Sequence, residues 1–162
     1  MGGPIEIELG NAEPVTIGVG SGRLSFCPSR RYDEATIFSV TYVDGFARGA
    51  TSIEDELYCI PHGGRLPEFF RGLANCWRGW DGERLWTDGY CALRATHDGV
   101  RRVAMEIKLL WGGQAFDMTM SGGVFIEPGQ LAAIADELEA MFARPDWANR
   151  GANTLTADSI PR

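Results

Sequence analysis

Apolar residues occupy every second position from Val103 to Leu109, and this alternation is the feature that most constrains the fold. A period of two matches a β-strand with one buried and one solvated face. Turn residues flank the segment, with Asp98-Gly99 before it and Trp111-Gly112-Gly113-Gln114 after it. Because short turns between neighbouring strands require antiparallel pairing, the second half of the chain predicts an antiparallel meander.

The first half of the chain also shows strand patterns separated by turn residues. Asp44-Gly45 is a strong hairpin signal, and the segment from Pro28 to Arg31 is expected to end the strand before it. Residues 53–60 fit either a strand or a short helical turn, and we favour the strand. Gly122-Gly123 predicts a bulge or kink. The predicted strands are Val15–Val19, Leu24–Cys27, Ala35–Val43, Phe46–Ser52, Tyr90–His97, Val103–Leu109 and Phe116–Ile126.

Two segments have the spacing of amphipathic helices. Pro67 lies near the start of the first, where its missing N–H costs nothing, and Gly79 is expected to terminate it. Pro128 opens the second helix and Pro145 ends it. The apolar stripes are Leu66, Phe69, Phe70, Leu73, Ala74 and Trp77 in the first helix, and Leu131, Ile134, Ala135, Leu138, Met141 and Phe142 in the second.

The order of strands, helix, strands, helix predicts an α+β fold. We expect a curved, mainly antiparallel β-sheet of about six to eight strands with two packing α-helices. Residues 1–145 are predicted to form a single domain, which suits a chain of 162 residues. Residues 146–162 have little apolar pattern and are predicted to be a mobile C-terminal tail.

Charge and composition limit the classes of partner. The net charge of −7 argues against nucleic acid, whose phosphates require a basic surface, and favours a basic protein or a toxin domain as partner. The apolar runs are too short to span a membrane, and the N-terminus lacks a signal-peptide pattern, so we expect a cytoplasmic protein. No cofactor and no metal site are predicted, because ligand pairs are missing. The oligomeric state stays open. Free thiols are expected at Cys27, Cys59, Cys76 and Cys91.

The chain carries few groups typical of catalysis. The glycine run from Gly18 to Gly22 resembles a dinucleotide loop, but Arg23 stands where the third glycine is needed and no helix pattern follows, so a turn is predicted. His62 and His97 could each serve as a general base, with Cys59 close to His62 in sequence. A polar turn residue is the simpler interpretation of each histidine.

Three of the five tryptophans lie within the segment Trp77-Arg78-Gly79-Trp80-Asp81-Gly82-Glu83-Arg84-Leu85-Trp86. The helical spacing predicts that Trp77 belongs to the core. Trp80 and Trp86 either pack where the helix meets the meander or form a surface patch. Trp and Arg dominate binding hot spots, because they bury much area and keep a polar group available.

This segment also carries a resemblance. The stretch Trp77-Arg78-Gly79-Trp80-Asp81-Gly82-Glu83, followed by Leu93–Gly99, an alternating strand and a closing helix, resembles a bacterial family of small proteins of unknown function. It is similar to the WapI-type immunity proteins over about residues 66–143. The resemblance implies no catalytic residues, and it implies a protein that neutralises a toxin by binding it.

The sequence therefore favours a non-enzymatic cytoplasmic protein-binding module, and the resemblance implies one of the immunity type. The alternative is an enzyme or a small-ligand-binding protein with a pocket near His62 and Trp80. The candidate binding residues are Arg78, Trp80, Asp81, Glu83, Trp86, Glu54, Asp55, Glu56 and His62, and no catalytic residue is assigned.

Overall fold

The structure, a computed structural model, describes residues 7–8, 13–19, 21–31, 35–56, 62–112 and 117–143. The predicted tail at 146–162, the end of the ambiguous stretch at 57–60 and Cys59 lie outside the described residues. The described elements contain two antiparallel sheets and two α-helices, so the α+β class and the antiparallel pairing are confirmed.

The first sheet is built from the N-terminal third of the chain. Strands β1 and β2 both pair with β3, each with a different part of it. They occupy the same edge position, so the sheet is four strands wide, with β3, β4 and β5 following in that order. The ambiguous stretch is a strand as far as Glu56. The strands are β1 (Ile7–Glu8), β2 (Val15–Ile17), β3 (Arg23–Arg31), β4 (Ala35–Val43) and β5 (Arg48–Glu56).

The second sheet has the strand order β6-β7-β8-β9, which is the predicted meander with one further strand, β6, that the sequence analysis did not predict. Its strands are β6 (Glu83–Thr87), β7 (Cys91–His97), β8 (Val103–Gly112) and β9 (Asp117–Ile126). Helix α1 (Leu66–Asn75) separates the two sheets in sequence. A 3₁₀ turn (Pro128–Gln130) leads into helix α2 (Leu131–Ala143).

The expectation of one sheet of six to eight strands is wrong. Strand β6 does not continue the first sheet, because α1 carries the chain away from β5 and β6 then pairs forward with β7. Apolar residues of both sheets and both helices nevertheless form one contiguous core, which includes Phe26, Phe38 and Phe70. The Phe26 ring lies 6.4 Å from that of Phe38 and 6.0 Å from that of Phe70.

The expected strand break at Pro28 is also wrong. Strand β3 continues to Arg31, with a register shift against β4 between Pro28 and Arg30. Proline has no N–H to donate to the ladder, and a local shift in register lets the strand pass through it.

Tyr42 links the two sheets at the edge strand β9. Its side chain is 3% exposed, and its hydroxyl accepts a hydrogen bond from the Gly123 N–H at 3.1 Å. The same hydroxyl lies 3.1 Å from the Gly123 carbonyl oxygen and 3.1 Å from Asp44 Oδ2, either of which can accept its proton. Burial raises the pKa of Tyr42, and the neighbouring Asp44 carboxylate adds to this shift.

Gly122 makes room for the Tyr42 ring. A Cβ atom at this position would overlap the ring, so the residue has to be glycine for the two sheets to approach this closely. The predicted bulge at Gly122-Gly123 is wrong, because the β8–β9 register runs unbroken from Val103 opposite Ile126 to Gly112 opposite Asp117.

We expect Gly122→Ala to destabilise the protein by about 1–3 kcal/mol, because the added methyl group pushes Tyr42 out of its position. Urea denaturation measures the change. Gly72→Ala is the control, since Gly72 is an exposed glycine inside α1 whose added Cβ meets no atom within 4 Å. That change should stabilise the protein by about 0.5–1 kcal/mol.

The double variant Tyr42→Leu with Gly122→Ala separates this clash from a general effect of glycine. The Gly122→Ala change should cost less free energy in the Tyr42→Leu background than in the wild type. Equal costs in both backgrounds would show that Tyr42 does not need the space at Gly122.

Candidate binding surface

A short ordered loop follows helix α1 and carries the first tryptophan of the segment. The Cys76 N–H donates to the Leu73 carbonyl at 3.0 Å, and the Gly79 N–H donates to the Cys76 carbonyl at 2.9 Å. Trp77 is 50% exposed, and the Arg78 guanidinium lies 5.2 Å from the centre of its ring. The prediction that Trp77 belongs to the core is wrong, because the helix ends at Asn75 and its spacing no longer applies two residues later.

His97 fixes the position of this loop from inside the protein. Its side chain is 1% exposed. Its Nδ1 accepts a hydrogen bond from the Gly99 N–H at 2.8 Å, and its Nε2 lies 2.9 Å from the Trp77 carbonyl oxygen. Because an N–H can only donate, Nδ1 is the acceptor and Nε2 carries the proton that it donates to Trp77. With both nitrogens engaged by the backbone, His97 holds the loop and is not placed as a general base.

The other two tryptophans of the segment face inward to different degrees. Trp80 is half-buried, and its ring packs edge-on against His97 with the centroids 5.1 Å apart. Its Nε1 is buried and has no hydrogen-bond partner within the described part of the chain. Trp86 is 1% exposed and donates from Nε1 to the Gly64 carbonyl at 2.9 Å, which makes it a core residue.

The β7–β8 turn lies against the loop. Asp98 Oδ1 accepts hydrogen bonds from the N–H groups of Val100, Arg101 and Arg102 at 2.8–3.0 Å. These donors, with Arg102 first among them, lower the pKa of Asp98 to about 2. The turn exposes Val100 at 76%.

A second pair of an arginine and an aromatic ring lies next to this turn. The Arg102 guanidinium is 5.3 Å from the ring centre of Phe125, which is 49% exposed. The sequence interpretation missed Phe125, although its alternation with Val124 and Ile126 could have placed it on the outer face. Phe125 lies on the outer face of the second sheet, whereas the His97 ring that holds the loop lies on the inner face. We therefore call only Trp77, Arg78 and Val100 the Trp77 surface.

The remaining candidate residues are spread over the molecule. Asp81 and Glu83 are exposed, and Glu83 forms an ion pair with Arg94 at 3.5 Å. Glu54, Asp55 and Glu56 lie in β5, opposite Ile37, Thr36 and Ala35 of β4. They therefore belong to a strand and are distant in sequence from the tryptophan segment.

His62 and Trp80 do not come together. His62 is exposed, and its backbone pairs with Thr87 through two hydrogen bonds of 3.0 Å. Trp80 contacts His97, which lies at the other end of the second sheet from Thr87. At about 3.3 Å per residue, the length of β6 separates them by well over 10 Å.

A cleft of about 240 Å³ lies between the two helices and is lined by Arg65, Pro67, Glu68, Glu139 and Phe142. It is smaller than typical ligand pockets, which have roughly 300–1,000 Å³. Neither His62 nor Trp80 lines it. Among the described residues, no three His, Cys, Asp or Glu side chains are grouped so that they could hold a metal ion. Cys27, Cys76 and Cys91 are free thiols, as expected.

Residues 16–145 match a protein family described as a family of unknown function, DUF6228. The chain belongs to this family. No curated protein matches the sequence. Within the described residues, no helix is long and apolar enough to cross a membrane.

Two solved structures of plant proteins resemble the fold. The crystal structure of WHY3 from Arabidopsis thaliana matches with a TM-score of 0.51 and 9% identity, over 93% of this chain and 98% of that chain. The structure of the plant transcriptional regulator PBF-2 matches with a TM-score of 0.49 and 7% identity, over 91% of this chain and 90% of that chain. At these identities the likeness shows the fold alone.

The prediction that nucleic acid is not a partner does not hold. The prediction rested on the net charge of −7, which sums over the whole molecule. Binding depends on the local distribution of charge, and an acidic protein can still present a cationic surface. The net charge is therefore no basis for excluding this class of partner.

The low pKa of Asp98 predicts a loss of stability in acid. A carboxyl group whose pKa falls from 3.8 in the unfolded chain to about 2 in the folded one stabilises the fold fully above about pH 4. This contribution is lost as the pH falls through about 2. We expect the free energy of unfolding of the wild type to fall more than that of Asp98→Asn between these pH values. Urea denaturation at each pH measures it, and parallel curves for the two proteins would contradict the assignment.

His97→Phe is expected to destabilise the protein by about 1–3 kcal/mol. The new ring keeps the contact with Trp80, but the Gly99 N–H loses its acceptor and the Trp77 carbonyl loses its donor. His62→Phe changes the other histidine, which is exposed, and should stay within about 0.5 kcal/mol of the wild type. Urea denaturation followed by tryptophan fluorescence compares them. A His97→Phe protein as stable as His62→Phe would show that His97 does not hold the loop.

Proposed function

We propose that this protein is a non-enzymatic binding module that recognises another protein through the Trp77 surface. The observation that carries the proposal is the half-exposed ring of Trp77 on a loop held by a buried histidine. A large aromatic side chain left in water on an ordered loop has apolar area available for a partner.

The surface has the composition and rigidity of a binding hot spot. Trp77 and Arg78 belong to the residue types that contribute most to protein interfaces, and the Arg78 guanidinium lies against the Trp77 ring. The bonds from Gly79 to Cys76 and from His97 to Trp77 fix the loop before binding. Less conformational entropy is then lost on association.

The immunity function is the specific form of this proposal that we favour. Its support is the resemblance of the segment from Trp77 to Glu83 to the WapI-type immunity proteins. In this form the protein acts in the bacterial cytoplasm, and its partner is a toxin that it occludes by binding.

We do not favour a pocket near His62 and Trp80, because these residues lie at opposite ends of the second sheet. Both nitrogens of His97 are bonded to backbone groups, and His62 is exposed beside Thr87. A binding surface accounts for more of the exposed aromatic area than a catalytic site does.

We expect Trp77→Ala and Arg78→Ala to abolish the capture of a stoichiometric partner from a lysate of the producing cells. Both side chains are exposed, so the thermal midpoint should stay near that of the wild type. Mass spectrometry of the bound fraction identifies the partner, and titration calorimetry with the purified partner measures the affinity. A loss of at least tenfold, or about 1.4 kcal/mol, is expected for Trp77→Ala.

Tyr90→Ala is the matched control. Tyr90 is 58% exposed and lies in the β6–β7 turn, at the other end of the second sheet from Trp77. Its loss should leave the capture unchanged. A partner bound equally by the wild type and Trp77→Ala, or lost with Tyr90→Ala alone, would overturn the proposed surface.

A further inference from the structure

The β4–β5 hairpin presents an aromatic ring that packs against no residue in the part of the chain that the structure describes. Phe46 has a relative exposure of 102%, which is that of a fully solvated side chain. The turn that carries it is held in place. Asp44 Oδ1 accepts hydrogen bonds from the Phe46 and Ala47 N–H groups, both at 2.7 Å, and the Asp44 N–H donates to the Ala47 carbonyl at 2.9 Å. The exposed ring therefore sits on an ordered turn.

Two arginines lie at the base of this hairpin. Arg23 of β3 and Arg48 of β5 are both directly opposite Val43 of β4, so the three residues share one face of the first sheet. Both arginines are exposed. With neighbouring strands roughly 4.8 Å apart, their Cα atoms lie about 10 Å from one another.

The same face continues along the strands in two rows of small side chains, four of which carry a hydroxyl group. The next two rows in register are Ser25, Thr41 and Ala50, and then Cys27, Ser39 and Ser52. Thr16 of β2 joins them, with its Oγ1 at 3.1 Å from the Oγ of Ser25. None of the residues in these rows is buried and none is acidic. We call Phe46, the two arginines and these rows the hairpin surface.

The charge of this surface is opposite to that of the whole molecule. The chain has a net charge of −7, whereas the rows of the hairpin surface carry two cations and no anion. The nearby Asp44 carboxylate stays ionised, because backbone donors lower its pKa, so the two arginines exceed it by one positive charge. An anionic occupant is complementary to this surface.

We propose that the hairpin surface binds single-stranded nucleic acid. Phe46 offers an exposed ring on which a base can stack, and the arginines and hydroxyls carry donors for phosphate and sugar oxygens. An acidic protein fits less well, because small hydroxyl side chains around the ring offer little apolar area to exclude water from an interface. This site is separate from the Trp77 surface and does not depend on the function proposed for it.

The test uses the full chain and a fluorescein-labelled oligothymidine of about 20 nucleotides, longer than the roughly 4–16 nucleotides that such sites cover. Fluorescence anisotropy measures the dissociation constant at several salt concentrations. Phe46→Ala should weaken binding about tenfold at every salt concentration, because it removes stacking and no charge. Arg48→Ala should weaken binding and also reduce the slope of log K against log salt by about 0.7, the value for one lost contact to a single-strand phosphate.

Two control variants remove the same kinds of side chain from another part of the protein. Tyr90→Ala removes an exposed aromatic ring and Arg101→Ala an exposed arginine, both from the second sheet. Neither should change the affinity by more than about twofold. Thermal midpoints close to the wild-type value verify that Phe46→Ala and Arg48→Ala are folded, as expected for exposed positions.

Three results would overturn the proposal. The first is no binding of the oligothymidine by the wild type even at low salt. The second is equal affinity in the wild type, Phe46→Ala and Arg48→Ala. The third is displacement of the oligonucleotide from the wild type by polyglutamate as readily as by unlabelled oligothymidine, because this would show that the surface selects negative charge and not a base.

Discussion

The contact between Tyr42 and the Gly122-Gly123 pair holds the two sheets together. Strand β9 is the edge of the second sheet, and an edge strand leaves backbone groups without partners. The Tyr42 hydroxyl bonds to the Gly123 backbone, and Val19 adds a bridge of 3.1 Å from its N–H to the Phe125 carbonyl. This edge is thus covered by the first sheet. The apolar inner faces close over one core, while the hairpin surface and the Trp77 surface remain in water.

Local patterns in the sequence predicted seven of the nine described strands but neither β1 nor β6, and contacts between distant residues were not predictable. The alternation from Val103 to Leu109 and the Asp44-Gly45 turn each involve residues close together in sequence, so the local sequence is enough to predict the structure there. The division into two sheets depends on the position of α1 between β5 and β6. The glycine at position 122 is explained by Tyr42, which is 80 residues earlier, and a glycine in a strand pattern gives no indication of such a partner.

The candidate site shows the same limit. Helical spacing placed Trp77 in the core, but one hydrogen bond from His97 of another element holds its loop outside the helix. The sequence identified the tryptophan segment as important and could not assign its three rings, because their burial depends on residues far along the chain. Trp86 is in the core, Trp80 packs on His97, and Trp77 faces solvent. The exposure of Phe46 and Phe125 was not predicted. Phe46 lies beside the Asp44-Gly45 turn signal, and Phe125 lies between two buried residues.

The two proposed surfaces differ in what surrounds their aromatic rings, and this difference favours different partners. The guanidinium of Arg78 lies over the Trp77 ring, so this ring already has a cation on one side. Such paired side chains bury area together against a folded protein. Phe46 stands away from its arginines on a turn, and small hydroxyl residues extend behind it along the sheet. That arrangement leaves room for a thin, anionic chain to lie along the strands while one base stacks on the ring.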